Sequence, residues 1–268
     1  MVRTQSGGYS AGAIVIATGG RSYPSTGSTG DGYRFAASLS HAVVPARPAL
    51  TPLLIRGYPF PSLSGISFAS IPFSIWRRGK KIAEHTGDVL LTHKGISGPG
   101  ILDASREILA GDEVRLSFAG STSQEAVSAD LAAAHDAGTE LVRAILLRYQ
   151  IPDRLTRALL KHAGIAEDMR CAHLTASQRR SVASLATAFP LIVESPGDFS
   201  IAMATAGGVA LCEINRKTME SKKVPSLYFA GEVIDIDGDT GGYNIQAALS
   251  TGALAAHSIA KRWGQDPC

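Results

Sequence analysis

The chain has 268 residues, of which 45% are apolar and 18% charged, with a net charge of +3. That length carries one large or two ordinary domains with real cores, and the balance excludes a disordered tail. The charge is too small for a nucleic-acid footprint, and no segment approaches the ~18 apolar residues of a membrane span. Cys171, Cys212 and Cys268 are widely spaced, with neither metal nor redox spacing. The expectation is a soluble cytoplasmic protein with free thiols, a small-molecule substrate, and neither nucleic acid nor membrane as partner.

Ala13-Ile-Val-Ile-Ala17 is an apolar run of strand length that ends in Thr18-Gly-Gly20. It predicts a strand buried on both faces of a parallel sheet. In the loop that follows, Gly27, Gly30 and Gly32 suit backbone that takes positive φ or passes close to a ligand. A helix is expected over 33–41. Pro45-Ala-Arg-Pro-Ala-Leu-Thr-Pro52 then reads as an extended exit linker, because each proline pushes its predecessor out of helical geometry.

From about 53 to 120, short alternating runs with Gly or Pro breaks predict a small antiparallel sheet or barrel. Within it, Arg77-Arg-Gly-Lys-Lys81 reads as the solvated tip of a hairpin. Residues 124–190 are rich in Ala and Leu at helical spacing, and Thr175-Ala-Ser-Gln178 forms a capping-box pattern. Strand texture returns at about 191, with Ile201-Ala-Met203 leading into Ala206-Gly-Gly-Val209 and a last buried strand at Leu227-Tyr-Phe-Ala230. The final helix carries small or apolar residues at Ile245, Ala248, Leu249, Gly252, Ala255, Ala256 and Ile259. This is one stripe at helical period, able to approach a sheet or cofactor closely.

The last junction is the most informative. A strand stops at Gly231-Glu232, a glycine-rich turn follows, and the first helical turn from Tyr243 to Gln246 contains no Asp or Glu. Bare N–H groups and the positive end of a helix dipole at the carboxyl edge of a strand favour an anionic ligand. Two such glycine-rich junctions in one chain point to a bound ligand, with a cofactor as the best candidate.

Four stretches carry a family resemblance: the run from Ala17 to Tyr33, Thr86-Gly-Asp-Val-Leu-Leu-Thr-His-Lys-Gly-Ile-Ser-Gly-Pro99, Ala206-Gly-Gly-Val209 with Glu213-Ile-Asn215, and the block from Gly231 to Gly252. Together they resemble the BaiN-like flavoproteins, which include the aminoacetone oxidases. The resemblance implies an FAD-dependent oxidoreductase that transfers hydride through flavin N5 to or from a small organic substrate, with NAD(P)H or an amine-bearing substrate as the candidate electron donor. It implies an α/β fold (α+β overall). An FAD-binding Rossmann-like domain over 1–47 and 191–268 would be interrupted by an insert, with a β-rich, barrel-like subdomain over 48–123 and a helical subdomain over 124–190.

The resemblance also implies site residues. Thr18, Gly19 and Gly20 would line the adenosine or pyrophosphate side, with Gly231 and Glu232 at the strand end. Asp235 resembles the acid that holds the ribitol and phosphate segment. Gly241 and Gly242 would let backbone come close, and Asn244, Ile245 and Gln246 would offer main-chain donors to the pyrimidine edge, where reduced flavin gathers negative charge. In the insert, His93 is the candidate acid or base. Thr92 and Ser97 would bond a substrate carbonyl or carboxylate. No metal ligands are expected.

One family feature is missing from the sequence. The strand, Gly-x-Gly-x-x-Gly and helix that cradle the pyrophosphate do not occur, and Gly30-Asp-Gly-Tyr-Arg-Phe35 lacks the third glycine. The chain is therefore read as the C-terminal two thirds of a flavoenzyme, without the N-terminal dinucleotide-binding βαβ unit. Weak FAD binding by this chain alone, or none, is expected, as is self-association through an exposed sheet edge. The alternative is a non-catalytic flavoprotein remnant acting as a binding or interaction module, or a mis-started fragment.

Overall fold

The computed structural model describes residues 1–264, so Cys268 lies outside the described residues. The chain divides into two compact units, one of Met1–Thr51 with the chain from Gly197 onward, the other of Pro52–Pro196.

In the first unit a hairpin of Val2–Thr4 and Gly7–Tyr9 precedes the strand Ile14–Ile16, which pairs in parallel with Leu227–Phe229. Among the described residues nothing pairs with the other edge of Ile14–Ile16. Val15 is accordingly 43% exposed, so burial on both faces is not met. The helix Asp31–Ser38 starts and ends earlier than expected, from a left-handed Gly30 to a chain reversal at Ser40, φ 65°.

The expected linker is instead a strand. Val43–Ala49 pairs antiparallel with Ala204–Val209. A ladder of two strands leaves alternate N–H groups unpaired, so Pro45 and Pro48 can be accommodated there. Ile201 and Ala202 lie in a turn on the Asp198 carbonyl rather than in a strand. Ile16, Tyr33, Val209, Ile214, Phe229 and Val233 form the core. The final helix, Tyr243–Arg262, buries Ala255 but leaves Ile245 and Leu249 70% and 65% exposed, so the expected apolar stripe is divided between a packed and an open face.

The second unit is built on a closed barrel of Leu53–Ile55, Ser67–Arg77, Lys80–Leu91, Gly95–Ser97, Glu113–Leu116 and Phe189–Pro196. The last of these strands pairs with both Glu113–Leu116 and Leu53–Ile55 and closes the barrel. The return to the first unit therefore falls after Pro196 and not near 190. The helices Gln124–Ala137, Val142–Leu147, Asp153–His162 and Ala176–Thr187 share one continuous apolar core with the barrel, so this unit is a single body. The Thr175–Gln178 capping box is formed in both directions, at 2.9 and 3.2 Å.

Arg77 departs from the solvated hairpin tip. Its guanidinium donates two hydrogen bonds, each 2.8 Å, to the carboxylate of buried Asp112. Cys171 is buried, which pushes its thiol up, while Cys212 is exposed; both are free. Among the described residues no helix is long and apolar enough to cross a membrane.

Candidate functional site

Two parallel strands end side by side in the first unit, and their exits meet at one edge. Gly20 follows the strand Ile14–Ile16, and Glu232 lies in the short turn Gly231–Val233 after Leu227–Phe229. One Glu232 carboxylate oxygen accepts the Gly20 N–H at 3.1 Å and the other accepts the Thr205 N–H at 2.7 Å. The Thr205 hydroxyl oxygen accepts the N–H groups of Arg21 and Ser22 at 2.8 and 3.1 Å. Burial pushes the Glu232 carboxyl above its ordinary range, against the two backbone donors, which act to lower it. The Tyr33 hydroxyl donates to the Glu232 carbonyl at 3.4 Å, and burial and the Glu232 charge push its phenol up to about 12.

This network changes the expected roles of two residues. Glu232 has both oxygens bonded to the chain itself, so it positions the edge. Gly20 is required for close packing, because a Cβ there would lie 2.4 Å from Thr205 Oγ1 and 2.6 Å from Glu232 Oε2. Thr205 lies outside the motif stretches, and Tyr33 closes the Ala17–Tyr33 run without an expected role of its own. The signal for Thr205 is the Ala204-Thr-Ala-Gly-Gly208 sequence, a near copy of Ala17-Thr-Gly-Gly20.

Other expected residues remain open. Gly19 has φ 73° and nothing within 4 Å of the place a Cβ would take. Thr18 is exposed, with its hydroxyl against Gly32. Gly241 and Gly242 have φ 106° and 97°, conformations that suit glycine. Gly242 caps the final helix with no side-chain hydrogen bond and no acid in the first turn. Gln246 N–H is bonded to the Gly242 carbonyl at 2.9 Å, so it is not the free donor expected. Those of Tyr243, Asn244 and Ile245 lack an acceptor among the described residues.

The Asn244 side chain accepts from Gly238 N–H at 2.8 Å and donates to its carbonyl at 2.9 Å, which closes the turn before the helix. Gly231 N–H is held by Thr251 Oγ1 at 2.9 Å. The Asp235 N–H is bonded to Val209 O at 3.0 Å, whereas its carboxylate makes no hydrogen bond among the described residues. Three unpaired N–H groups, open glycine backbone and a free carboxylate fit the anionic and hydroxyl-bearing parts of a flavin nucleotide.

In the second unit, Thr92 and Ser97 flank a tight turn with His93 exposed on it. The Thr92 hydroxyl donates to Gly95 O at 3.0 Å and accepts Gly95 N–H at 3.2 Å, so it is engaged within its own turn. Ser97 lies opposite Leu90 in the barrel. His93 makes no hydrogen bond among the described residues and is the open titratable group of the three.

The HI0933-like protein Rossmann-domain family matches residues 1–258. The 3-dehydro-bile acid delta(4,6)-reductase of Clostridium scindens is 30% identical, over 98% of this chain and 65% of that protein. The ribosomal RNA dihydrouridine synthases of Escherichia coli and Haemophilus influenzae are 29% and 30% identical, over 92% and 93% of this chain and 60% of each relative. The chain thus spans less than two thirds of the length of these curated relatives. With the match running from the first strand into the final helix, the chain belongs to the HI0933-like Rossmann-domain family of FAD-dependent oxidoreductases.

Proposed function

We propose that this chain carries the flavin-facing part of an FAD-dependent oxidoreductase that adds hydrogen across a carbon–carbon double bond of a small organic substrate. The observation that carries the reading is the uncapped helix start, with the N–H groups of Tyr243, Asn244 and Ile245 open close in sequence to the unpaired Asp235 carboxylate. When bound, FAD supplies reversible hydride transfer. Gly19, Gly241 and Gly242 let its backbone partners approach, and Asp235 holds a hydroxyl. Family membership favours this reading over a non-catalytic remnant.

The bond type follows from what the relatives are called. A delta(4,6)-reductase and a dihydrouridine synthase both saturate a carbon–carbon double bond. A reduced nicotinamide is the proposed donor. The net charge of +3 supports a small substrate over a polyanion. A second reading, an RNA pyrimidine, is favoured by the names of two relatives.

The open edge of Ile14–Ile16 and the exposed Ile245 and Leu249 face suit a strand–Gly-x-Gly-x-x-Gly–helix unit that would complete the pyrophosphate site. The test is turnover with FAD in excess, NADH or NADPH and an α,β-unsaturated ketone. Donor oxidation that depends on the alkene and yields a product heavier by two hydrogens is expected. Donor oxidation without alkene saturation would overturn the assignment.

A further inference from the structure

A different face of the final helix borders a cleft of about 680 Å³ in the first unit. Ile214, Met219, Ile236 and Leu254 give it an aliphatic floor, and Arg216 and Lys217 stand at its rim. Ile214 and Met219 are 3% and 5% exposed, so the floor is anchored in the core. The volume falls within the roughly 300–1,000 Å³ of small-molecule sites.

The rim is held in place by its own turn. Asn215 O accepts from Thr218 and Met219 N–H at 3.1 and 2.7 Å, and Asn215 Oδ1 accepts from Lys217 N–H at 3.0 Å. Met219 takes φ 60°, a left-handed conformation unusual for a non-glycine residue, with its side chain in the floor. Arg216 and Lys217 are exposed at the tip, and neither forms an ion pair among the described residues. Lys222, also at the cleft, donates to the Cys212 carbonyl at 2.8 Å. Among the described residues no carboxylate and no aromatic ring lines the cleft. Two free cations over an aliphatic floor select an anion on an apolar body, and the lack of a ring to stack on disfavours a nucleobase.

We propose that this cleft binds an amphipathic carboxylate, its aliphatic body on Ile214, Met219, Ile236 and Leu254 and its charge at Arg216 and Lys217. The site is separate from the open helix start, and its occupation requires no flavin.

The test is calorimetric titration of the full chain with decanoate, with decan-1-ol as the uncharged control. Saturable binding of one decanoate per chain is expected, at least about tenfold tighter than the alcohol. The double variant Arg216→Ala, Lys217→Ala should lower decanoate affinity by about tenfold, with an unchanged circular dichroism spectrum. Ile236→Gln should weaken both ligands. Equal affinity for acid and alcohol, indifference to the double variant, or no saturable binding would each overturn the proposal.

Discussion

Glu232 accepts the Thr205 N–H at 2.7 Å with one carboxylate oxygen while the other holds Gly20, so one side chain joins three segments of the first unit. An amide cannot serve both donors, since its NH2 would face an N–H. Glu232→Gln is expected to lower stability by about 1–3 kcal/mol. Urea unfolding checks this, and an unchanged midpoint would show that the network is dispensable.

Two glycine substitutions should have opposite signs. Gly20→Ala puts a methyl group into the Thr205 and Glu232 oxygens and is expected to cost about 1–3 kcal/mol. Gly252→Ala meets nothing within 4 Å inside the helix Tyr243–Arg262 and should stabilise by up to about 1 kcal/mol. Thermal unfolding of the pair would show the two shifts, and equal shifts would contradict the packing described.

In the barrel, burial acts to raise the Asp112 carboxyl, but the hydrogen bonds from Arg77 and Leu109 N–H outweigh it and hold it below its ordinary 3.8. A depressed carboxyl contributes stability that is present above the unfolded value and lost as pH falls through the folded one. Asp112→Asn should cost about 2 kcal/mol at neutral pH and nothing once both values are passed. Denaturation at neutral pH and below 3.8 tests this; a penalty that does not shrink with acid would count against the ion pair.

The exposed helix face predicts association between copies. Ile245 and Leu249 are 70% and 65% exposed, close to the helix start. Leu249→Lys should shift sedimentation toward the monomer. If the wild-type chain is already monomeric at high concentration, that face does not self-associate.

The glycine junctions and the strands beside them were legible because an apolar run ending in Thr18-Gly-Gly20 or Gly231-Glu232 is a local signal. The barrel was legible in part. Alternation marks the strands between 53 and 120, but the strand that closes it, Phe189–Pro196, lies far along the chain behind four helices. Pro45 and Pro48 argued against a strand because the sequence does not show that its ladder has only two members. The periodicity of the final helix marked an apolar stripe without telling which part faces the core. The role of Glu232 was hidden because it depends on Thr205, which only the folded chain brings within reach.

The most direct measurement is the flavin retained after saturation with FAD and gel filtration. It would be made on this chain and on a fusion carrying a strand–Gly-x-Gly-x-x-Gly–helix unit before Met1. The expected result is little flavin on the chain alone and nearly one per chain on the fusion. A fusion that folds yet stays colourless would contradict the assignment of Gly19, Asp235 and the Tyr243–Ile245 donors to a flavin site.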